Sequence, residues 1–222
     1  MILAIKNASK CIICTIVTNW IPIFSHNSNG FIGKHTSLKL ERLGHEVFKY
    51  DINSTEEELN QFILNADFII HLAGINRPLT IEEFYDGNAN LTKKIVDLVL
   101  KNNKNTPIIF SSSIQATLDN DYGKSKKMGE DFLLNSTLPV YVYRLANVFG
   151  KWCRPNYNSA AATFCYNVAH NLEIQIRDRN YVVHYNYIDD IVDEFVKIIS
   201  LIGELTILSN ALPESKPCVQ AA

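Results

Sequence analysis

The chain has 222 residues, of which 47% are hydrophobic and 20% charged, and its formal net charge at pH 7 is −2. These values are typical of a soluble globular protein that can bury a substantial core. The nearly balanced charge gives no electrostatic basis for binding nucleic acid or an anionic membrane, so we expect neither partner.

The first predicted element is irregular. Residues 1–26 contain the apolar run CIICTIVTNWIPIF, which is too short to span a bilayer and is followed by no clear cleavage site. We expect this segment to supply the first strand, either as TIVTN or as IPIF, with Pro22 tolerable only at a strand's start. Cys11 and Cys14 form a lone C-x-x-C, which we interpret as buried thiols. The five cysteines are scattered, so we expect a cytoplasmic protein without a metal site.

A glycine turn that opens a helix follows in NGFIGKHTSLKLERLG. Gly30 and Gly33 have the spacing of the second and third glycines of a dinucleotide turn, and Asn27 occupies the first position. Asparagine tolerates a left-handed backbone, so we expect the turn to form, with the Asn27 side chain beside the path of the phosphates. The residues predicted to hold the cofactor at this helix N-terminus are Asn27, Gly30, Phe31, Ile32 and Gly33.

Asp51 ends the second predicted strand, HEVFKYD. A carboxylate at this position binds the adenosine ribose in dinucleotide sites, which favours NAD over NADP. Lys49 and Arg77 are candidate cations for a 2′-phosphate. Two simpler explanations stay open, namely glycines that only cap a helix and an Asp51 that is a solvated turn residue.

The later segments alternate between helix and strand patterns. Ser54 and Glu57 have the spacing of a capping box. DFIIHLAG predicts a buried strand in which His71 is a core histidine, and residues 88–103 predict an amphipathic helix. Two more strands are predicted in PIIFSSS and VYVYRL, and a helix is predicted over residues 158–170. Short extended pieces are predicted in EIQI and YVVHY. A last helix is predicted from Asp189 to Leu201, then a strand in ELTILSN and a polar tail over 211–222. This alternation predicts one α/β domain, a Rossmann-like doubly wound parallel sheet with helices on both faces.

Tyr122 and Lys126 form the most informative pair in the chain. They lie four residues apart on a predicted helix, so the ammonium lies on the same face as the phenol and would lower the phenol's pKa. Ser113, at the end of the preceding strand, would hold a substrate carbonyl against the phenol. This set suits hydride chemistry at a carbonyl or carbinol carbon. The simpler explanation is an exposed tyrosine beside a solvated lysine.

Four motifs occur in the order found in the extended short-chain dehydrogenase/reductase family of NAD-dependent epimerases and dehydratases: NGFIG, HLAG, YGKSK and NYIDDIV. The chain resembles that family from about Gly30 to Val192. Longer segments, such as HLAGINRP and NVFGKWCRPNYNSAAATFCYN, are similar to the reductase domains of bifunctional capsular-polysaccharide enzymes. The resemblance implies that residues 27–210 form a dinucleotide-binding reductase domain.

The resemblance also implies a reaction. NADPH, or alternatively NADH, would reduce the C4 keto group of a UDP-4-keto-6-deoxy-N-acetyl-hexosamine. Tyr122 would donate the proton, Lys126 would lower the Tyr122 pKa and bind the nicotinamide ribose, and Ser113 would polarise the carbonyl. The cofactor would pass close to Leu72, Ala73 and Gly74. The nucleotide sugar would contact Asn147, Arg154 and Asn158.

The family often dimerises through the two helices that here begin near Asn88 and Tyr122, so a homodimer is expected. The bifunctional enzymes carry a C-terminal cupin domain for epimerisation, and we expect this chain to lack that activity. A catalytically silent remnant or nucleotide-binding module, and a 4-epimerase or dehydratase of the same family, stay open as alternatives. Dehydratases place an Asp-Glu pair where this chain has Ile114 and Gln115.

Overall fold

The computed structural model describes residues 22–102, 104–176 and 178–211. Its centre is a five-stranded, all-parallel sheet in the order β2–β1–β3–β4–β5. The strands are β1 (Ile23–His26), β2 (Val47–Tyr50), β3 (Phe68–His71), β4 (Ile108–Ser113) and β5 (Val140–Leu145). The predicted doubly wound parallel sheet is confirmed.

The helices are α1 (Phe31–Arg42), α2 (Glu56–Asn65), α3 (Ile81–Phe84), α4 (Leu91–Lys101), α5 (Asp121–Leu134), α6 (Ala160–Ala169) and α7 (Ile188–Ala211). A π-helical segment, Tyr85–Asn90, joins α3 to α4, and a 3₁₀ turn, Ile114–Thr117, precedes α5. Two short strands, β6 (Asn147–Phe149) and β7 (Tyr185–Tyr187), form a separate parallel pair. Within the described residues, no helix is long and apolar enough to cross a membrane.

Helices cover both faces of the sheet because side chains alternate along each strand. Phe24, Ile69 and Phe110 pack in one core cluster with residues of α2, α4 and α5. Ile23 and Ile70 belong to a second cluster with residues of α1 and α7. The strands are buried on both faces, which explains why they read as nearly continuous apolar runs.

The strand order reverses beside β1 and β3. The chain leaves β1 toward β2 on one side, whereas β3 continues to β4 on the other. Loops that diverge in this way leave a crevice at the carboxyl ends of the strands, where open α/β sheets bind their ligands. His26 and His71 end these two strands, so the segments that follow them line the crevice.

Several boundaries differ from the sequence predictions. The first strand is the IPIF alternative, whereas TIVTN, Cys11 and Cys14 lie outside the described residues. The capping box uses Thr55 and Glu58 instead of Ser54 and Glu57. The physical reason is that the Ser54 hydroxyl accepts a hydrogen bond from the Asp51 N–H at 3.2 Å, which commits it to the preceding turn.

Two predicted strands near the C-terminus are wrong. The segment ELTILSN continues α7 to Ala211, because no proline interrupts the helix and Gly203 alone does not stop it. EIQI lies in irregular backbone, and only Tyr185 of YVVHY enters a strand, where it pairs with Asn147. Short apolar runs do not distinguish helix from strand by their pattern alone.

Candidate active site

The turn between β4 and α5 brings the three predicted catalytic residues together. Ser113 is the last residue of β4, and the Asn120 side chain caps α5 by accepting a hydrogen bond from the Gly123 N–H at 2.8 Å. A Cβ atom on Gly123 would overlap the Gln115 carbonyl, so glycine lets α5 begin tightly against the 3₁₀ turn. Tyr122 therefore lies in the first turn of α5, above the end of β4.

The Tyr122 phenol is partly buried and hydrogen-bonded to the Ser113 hydroxyl. Its ring lies 5.8 Å from the Phe84 ring, between centroids. Burial raises the pKa of Tyr122, and the hydrogen bond with Ser113 only partly offsets this. This corrects the expected lowering by Lys126. The physical reason is that the ammonium is directed at backbone carbonyls, and burial of the phenol dominates.

Lys126 is buried beneath the crevice, with 3% of its surface exposed. Its Nζ donates to the Ser111 carbonyl at 3.0 Å and to the Ala73 carbonyl at 3.5 Å, and lies 5.0 Å from the centre of the Phe110 ring. Burial lowers the pKa of Lys126 to about 8, against the opposing influence of Glu130. The side chain therefore remains mostly protonated at neutral pH and joins the HLAG loop after β3 to β4 through its carbonyl contacts.

Asn88 is a site residue that the sequence analysis missed. It is buried in the π-helical segment, and its amide exchanges two 2.9 Å hydrogen bonds with the Ile75 backbone. It also donates to the Ser125 hydroxyl at 2.9 Å. A Cβ atom on Gly74 would lie 2.8 Å from the Asn88 side-chain oxygen and 2.6 Å from Lys126 Nζ. Asn88 therefore holds the end of the HLAG loop against Lys126.

The glycine turn forms with Asn27 in the left-handed conformation, at φ 61°, as the sequence predicted. The Gly30 N–H donates to the Asn27 carbonyl at 3.1 Å. A Cβ atom on Gly33 would overlap that carbonyl, so α1 can pack this closely on β1 only with glycine there. The Asn27 amide lies beside Gly30, within 2.6 Å of where a Cβ would stand.

The residues present at this turn fit an anionic dinucleotide. No side chain caps α1 at Gly30, so the N–H groups at Phe31, Ile32 and Gly33 are not used by a cap. The Asp51 carboxylate accepts from the Asn29 N–H and the Ile52 N–H, each at 2.8 Å, which fastens the turn to the end of β2. An oxygen that accepts one N–H still has a lone pair for a ribose hydroxyl.

The two candidate cations for a 2′-phosphate point elsewhere. Lys49 Nζ is paired with the Glu41 carboxylate at 2.6 Å. Arg77 donates to the Tyr157 carbonyl and, at 3.0 Å, to the Asn158 side chain. Arg77, in the segment that follows β3, therefore contacts the loop after β6 and not Asp51.

His71 is a fully buried core histidine, in agreement with the sequence interpretation. Its Nδ1 lies 3.1 Å from Nδ1 of His26, and its Nε2 lies 2.9 Å from the Thr92 hydroxyl. Burial lowers the pKa of both imidazoles, that of His26 to about 4. The pair is therefore neutral at physiological pH and forms an uncharged floor under the crevice.

The three predicted substrate residues are only partly brought together. Asn158 lines a cavity of about 580 Å³ together with Arg77, Tyr157 and Ser159. The guanidinium groups of Arg77 and Arg154 lie 4.8 Å and 5.4 Å from the centre of the Tyr157 ring. Asn147 lies on β6 instead, where its side chain and backbone N–H both donate to the His184 carbonyl. The sequence analysis missed Arg77 as a residue of this cavity.

Asn27→Gly is expected to raise the affinity for a dinucleotide several-fold. Glycine adopts the left-handed conformation without strain and removes the amide that lies beside Gly30. Calorimetric titration with NADPH and NADH measures the change. Asn171→Gly is the matched control, because Asn171 is also left-handed, at φ 53°. Weaker binding by the Asn27 variant would instead show that this amide is a ligand-binding group.

Comparison with known proteins shows which family and which relatives this chain resembles. A family model described as "NAD dependent epimerase/dehydratase family" matches residues 28–204. UDP-2-acetamido-2,6-beta-L-arabino-hexul-4-ose reductase of Pseudomonas aeruginosa is 45% identical over 190 residues, which are 83% of this chain and 50% of that protein. Residues 28–204, which the family model matches, include Ser113, Tyr122 and Lys126.

Solved structures also resemble this chain. The capsular polysaccharide assembling protein CapF of Staphylococcus aureus is 45% identical with a TM-score of 0.71, over 81% of this chain and 50% of that one. UDP-glucuronic acid 4-epimerase of Bacillus cereus, in complex with NAD, has a TM-score of 0.69 at 18% identity, over 80% of this chain and 73% of that one. The second likeness concerns the fold alone. This chain spans about half the length of the reductase and of CapF.

Proposed function

Because this chain belongs to the NAD dependent epimerase/dehydratase family, we propose that it reduces the C4 keto group of a UDP-4-keto-6-deoxy-N-acetyl-hexosamine. The observation that carries the proposal is the convergence of Ser113, Tyr122 and Lys126 at the end of β4. The 45% identity to a UDP-sugar keto reductase supports the substrate class. Surface polysaccharide synthesis is the proposed use of the product.

The chemistry begins at the two hydroxyls. Ser113 polarises the C4 carbonyl of the substrate by donating a hydrogen bond to its oxygen. Tyr122 then gives its proton to that oxygen as negative charge develops. When bound, a dinucleotide would supply the hydride, so that C4 would gain a hydride and its oxygen the phenolic proton of Tyr122. Since burial raises the pKa of Tyr122, the phenol carries its proton at neutral pH, as an acid must.

Lys126 lies four residues after Tyr122 on the same face of α5, and its ammonium is held by two backbone carbonyls. A pKa of about 8 means that this lysine is charged at neutral pH and loses the charge in mild alkali. We also assign Lys126 to the nicotinamide ribose, which would compete with the Ser111 and Ala73 carbonyls for its hydrogen bonds.

The proposed cofactor site extends from the glycine turn to the HLAG loop. Its residues are Asn27, Gly30, Phe31, Ile32, Gly33, Asp51, Leu72, Ala73 and Gly74, together with Tyr122 and Lys126. We propose NADPH as the reductant, with NADH the alternative that Asp51 favours. The cavity at Asn158, which Arg77 also lines, is the proposed nucleotide-sugar side. Arg154 lies next to it, over the Tyr157 ring, whereas Asn147 on β6 stays a predicted substrate residue outside this lining. Guanidinium groups match the geometry of a diphosphate.

The homodimer stays a prediction. It would pair α4 and α5 with the same helices of a second chain. Leu100 on α4 and Met128 on α5 are exposed apolar side chains, at 40% and 39%, which suits such a surface.

A nucleotide-binding module without turnover is the second candidate. The observation that favours it is the Asn27 amide beside Gly30, where a dinucleotide turn ordinarily has no side chain. Such a module would bind a nucleotide at the crevice without catalysing hydride transfer. The catalytic set at Tyr122 would then have no function.

Incubation of the purified chain with the 4-keto sugar nucleotide and NADPH or NADH tests the proposal. Loss of nicotinamide absorbance, with formation of the reduced sugar nucleotide by mass spectrometry, is the expected result. UDP-N-acetylglucosamine with NAD is the matched control for a 4-epimerase, which interconverts sugars without net consumption of cofactor. Cofactor binding without turnover of either substrate would favour the nucleotide-binding module.

A further inference from the structure

Glu130 is a buried carboxylate that the proposed mechanism does not yet use. It lies one helical turn after Lys126, on the same face of α5, and only 1% of its side chain is exposed. Carboxylates are seldom buried so completely without a partner. The partners that hold Glu130 therefore indicate what the carboxylate does.

Three hydrogen bonds hold this carboxylate. One oxygen accepts from the Ser112 hydroxyl at 2.6 Å and from Arg144 Nε at 2.9 Å. The other accepts from a terminal nitrogen of Arg144 at 2.7 Å. Burial alone would raise the pKa of Glu130, but the bonds from Arg144 and Ser112 outweigh it and hold the pKa below its usual value. Glu130 is therefore ionised at neutral pH.

The network joins the elements that carry the catalytic set. Ser112 precedes Ser113 on β4, and Arg144 lies opposite Ser112 on β5. Glu130 reaches both strands from α5, the helix of Tyr122 and Lys126. Its negative charge is the one that opposes the lowering of the Lys126 pKa. One carboxylate thus contacts the catalytic strand and acts electrostatically on the catalytic lysine.

The remaining titratable groups near Lys126 do not supply this negative charge. His26 on β1 and His71 on β3 are neutral, because burial lowers the pKa of each. Tyr122 on α5 is protonated, because burial raises its pKa. Arg144 on β5 is a cation paired with Glu130, so it supplies no negative charge either.

We propose that Glu130 is a positioning residue for the reductase reaction, which keeps Lys126 protonated and holds the end of β4, while Arg144 limits how strongly it does so. The inference rests on the proposed function, because it assigns Glu130 a role in the same site. It goes beyond an ion pair that only joins α5 to β5, because it links the charge of Glu130, through Lys126, to the alkaline limb of the pH–rate profile.

Two substitutions of opposite sign test the proposal. Glu130→Gln removes the negative charge, so the Lys126 pKa is expected to fall by about half a unit or more. Arg144→Gln leaves the carboxylate unpaired, so the Lys126 pKa is expected to rise. Asp131→Asn is the matched control, because Asp131 is a more exposed carboxylate on the same helix, paired with Lys127. It is expected to leave the Lys126 pKa unchanged.

The readout is the titration of lysine side chains labelled with ¹³C at Cε, followed by NMR. The Lys126 signal is identified by its loss in Lys126→Arg, and its midpoint in the unsubstituted chain is expected at about 8. The alkaline limb of the pH–rate profile is expected to move with this midpoint, downward for Glu130→Gln and upward for Arg144→Gln. If Glu130→Gln does not fold, the upward shift of the Lys126 midpoint expected in Arg144→Gln still tests the proposal.

Unchanged midpoints, or midpoints that move in the same direction in both variants, would overturn the proposal. The NMR titration needs no turnover, so the two proposals fail separately. Opposite shifts in a chain that reduces no sugar would support the coupling and reject the reductase. A chain that reduces the sugar but shows no shift would retain the reductase and reject the role of Glu130.

Discussion

Tyr122→Phe is expected to lower the turnover of the 4-keto sugar nucleotide by about 10²- to 10⁴-fold, the usual contribution of a positioned general acid. The phenol lies at the end of β4, hydrogen-bonded to Ser113, and burial raises its pKa. Phenylalanine keeps the ring and its packing on Phe84 while removing the proton that the C4 oxygen must receive. Steady-state kinetics with the purified variant measure the loss.

Folding and cofactor binding are expected to survive this substitution. The phenol gives up one hydrogen bond, which contributes about 1 kcal/mol to stability. Thermal unfolding and titration with NADPH should therefore resemble those of the unsubstituted chain. Tyr181→Phe is the matched control, since that tyrosine is 70% exposed and lies outside the site. Full turnover by the Tyr122 variant would remove this residue from the mechanism.

Lys126→Met is expected to impair turnover on the order of 10²-fold and, at the same time, to stabilise the fold. Burial lowers the pKa of Lys126 to about 8, whereas a lysine in an unfolded chain titrates near ~10.4. The difference corresponds to a cost of up to about 3 kcal/mol for burying the charge at neutral pH. Methionine fills a similar volume without that cost.

The gain in stability has a defined pH dependence. Between pH ~8 and pH ~10.4 the unfolded chain binds more protons at this lysine than the folded chain does, so the unsubstituted protein becomes more stable as pH rises. The advantage of the methionine variant is therefore full at pH 7 and disappears at about pH 10.5. Urea unfolding at both values measures it. Lys127→Met, on the same helix and paired with Asp131, is the control.

A variant that unfolds more readily at pH 7 would contradict this account. Such a result would mean that the contacts of Nζ with the Ser111 and Ala73 carbonyls outweigh the cost of burying the charge. Retained turnover would separately contradict the assignment of Lys126 to the proposed mechanism. The two measurements therefore test the electrostatics and the chemistry of one side chain independently.

The sequence predicted the sheet and the order of the catalytic elements because those features depend on local patterns. Apolar runs between helix signals indicate buried parallel strands. Ser113 could be predicted as a site residue because it stands at the end of such a run. The left-handed Asn27 was also predicted, from the known tolerance of asparagine. The strand predicted in ELTILSN was wrong, because α7 continues through a segment whose apolar pattern fits either structure.

The contacts inside the site could not be predicted, because each joins residues far apart in the chain. Asn88 reaches Ser125 across 37 positions, and Lys126 reaches the Ala73 carbonyl across 53. Glu130 lies in the YGKSKKMGE segment, but its partners on β4 and β5 become visible only when the strands are paired. The raised pKa of Tyr122 likewise depends on how deeply α5 packs, which its spacing from Lys126 does not specify.

The most direct test of the reductase assignment follows the hydride itself. The purified chain is incubated with the 4-keto sugar nucleotide and NADPH deuterated at the transferable position of the nicotinamide ring, and the product is analysed by NMR. The account predicts deuterium at C4 of the sugar, on one face only, and its absence in Tyr122→Phe. A sugar that gains no deuterium, although the chain is folded and binds the cofactor, would contradict the claim that this protein is a keto reductase.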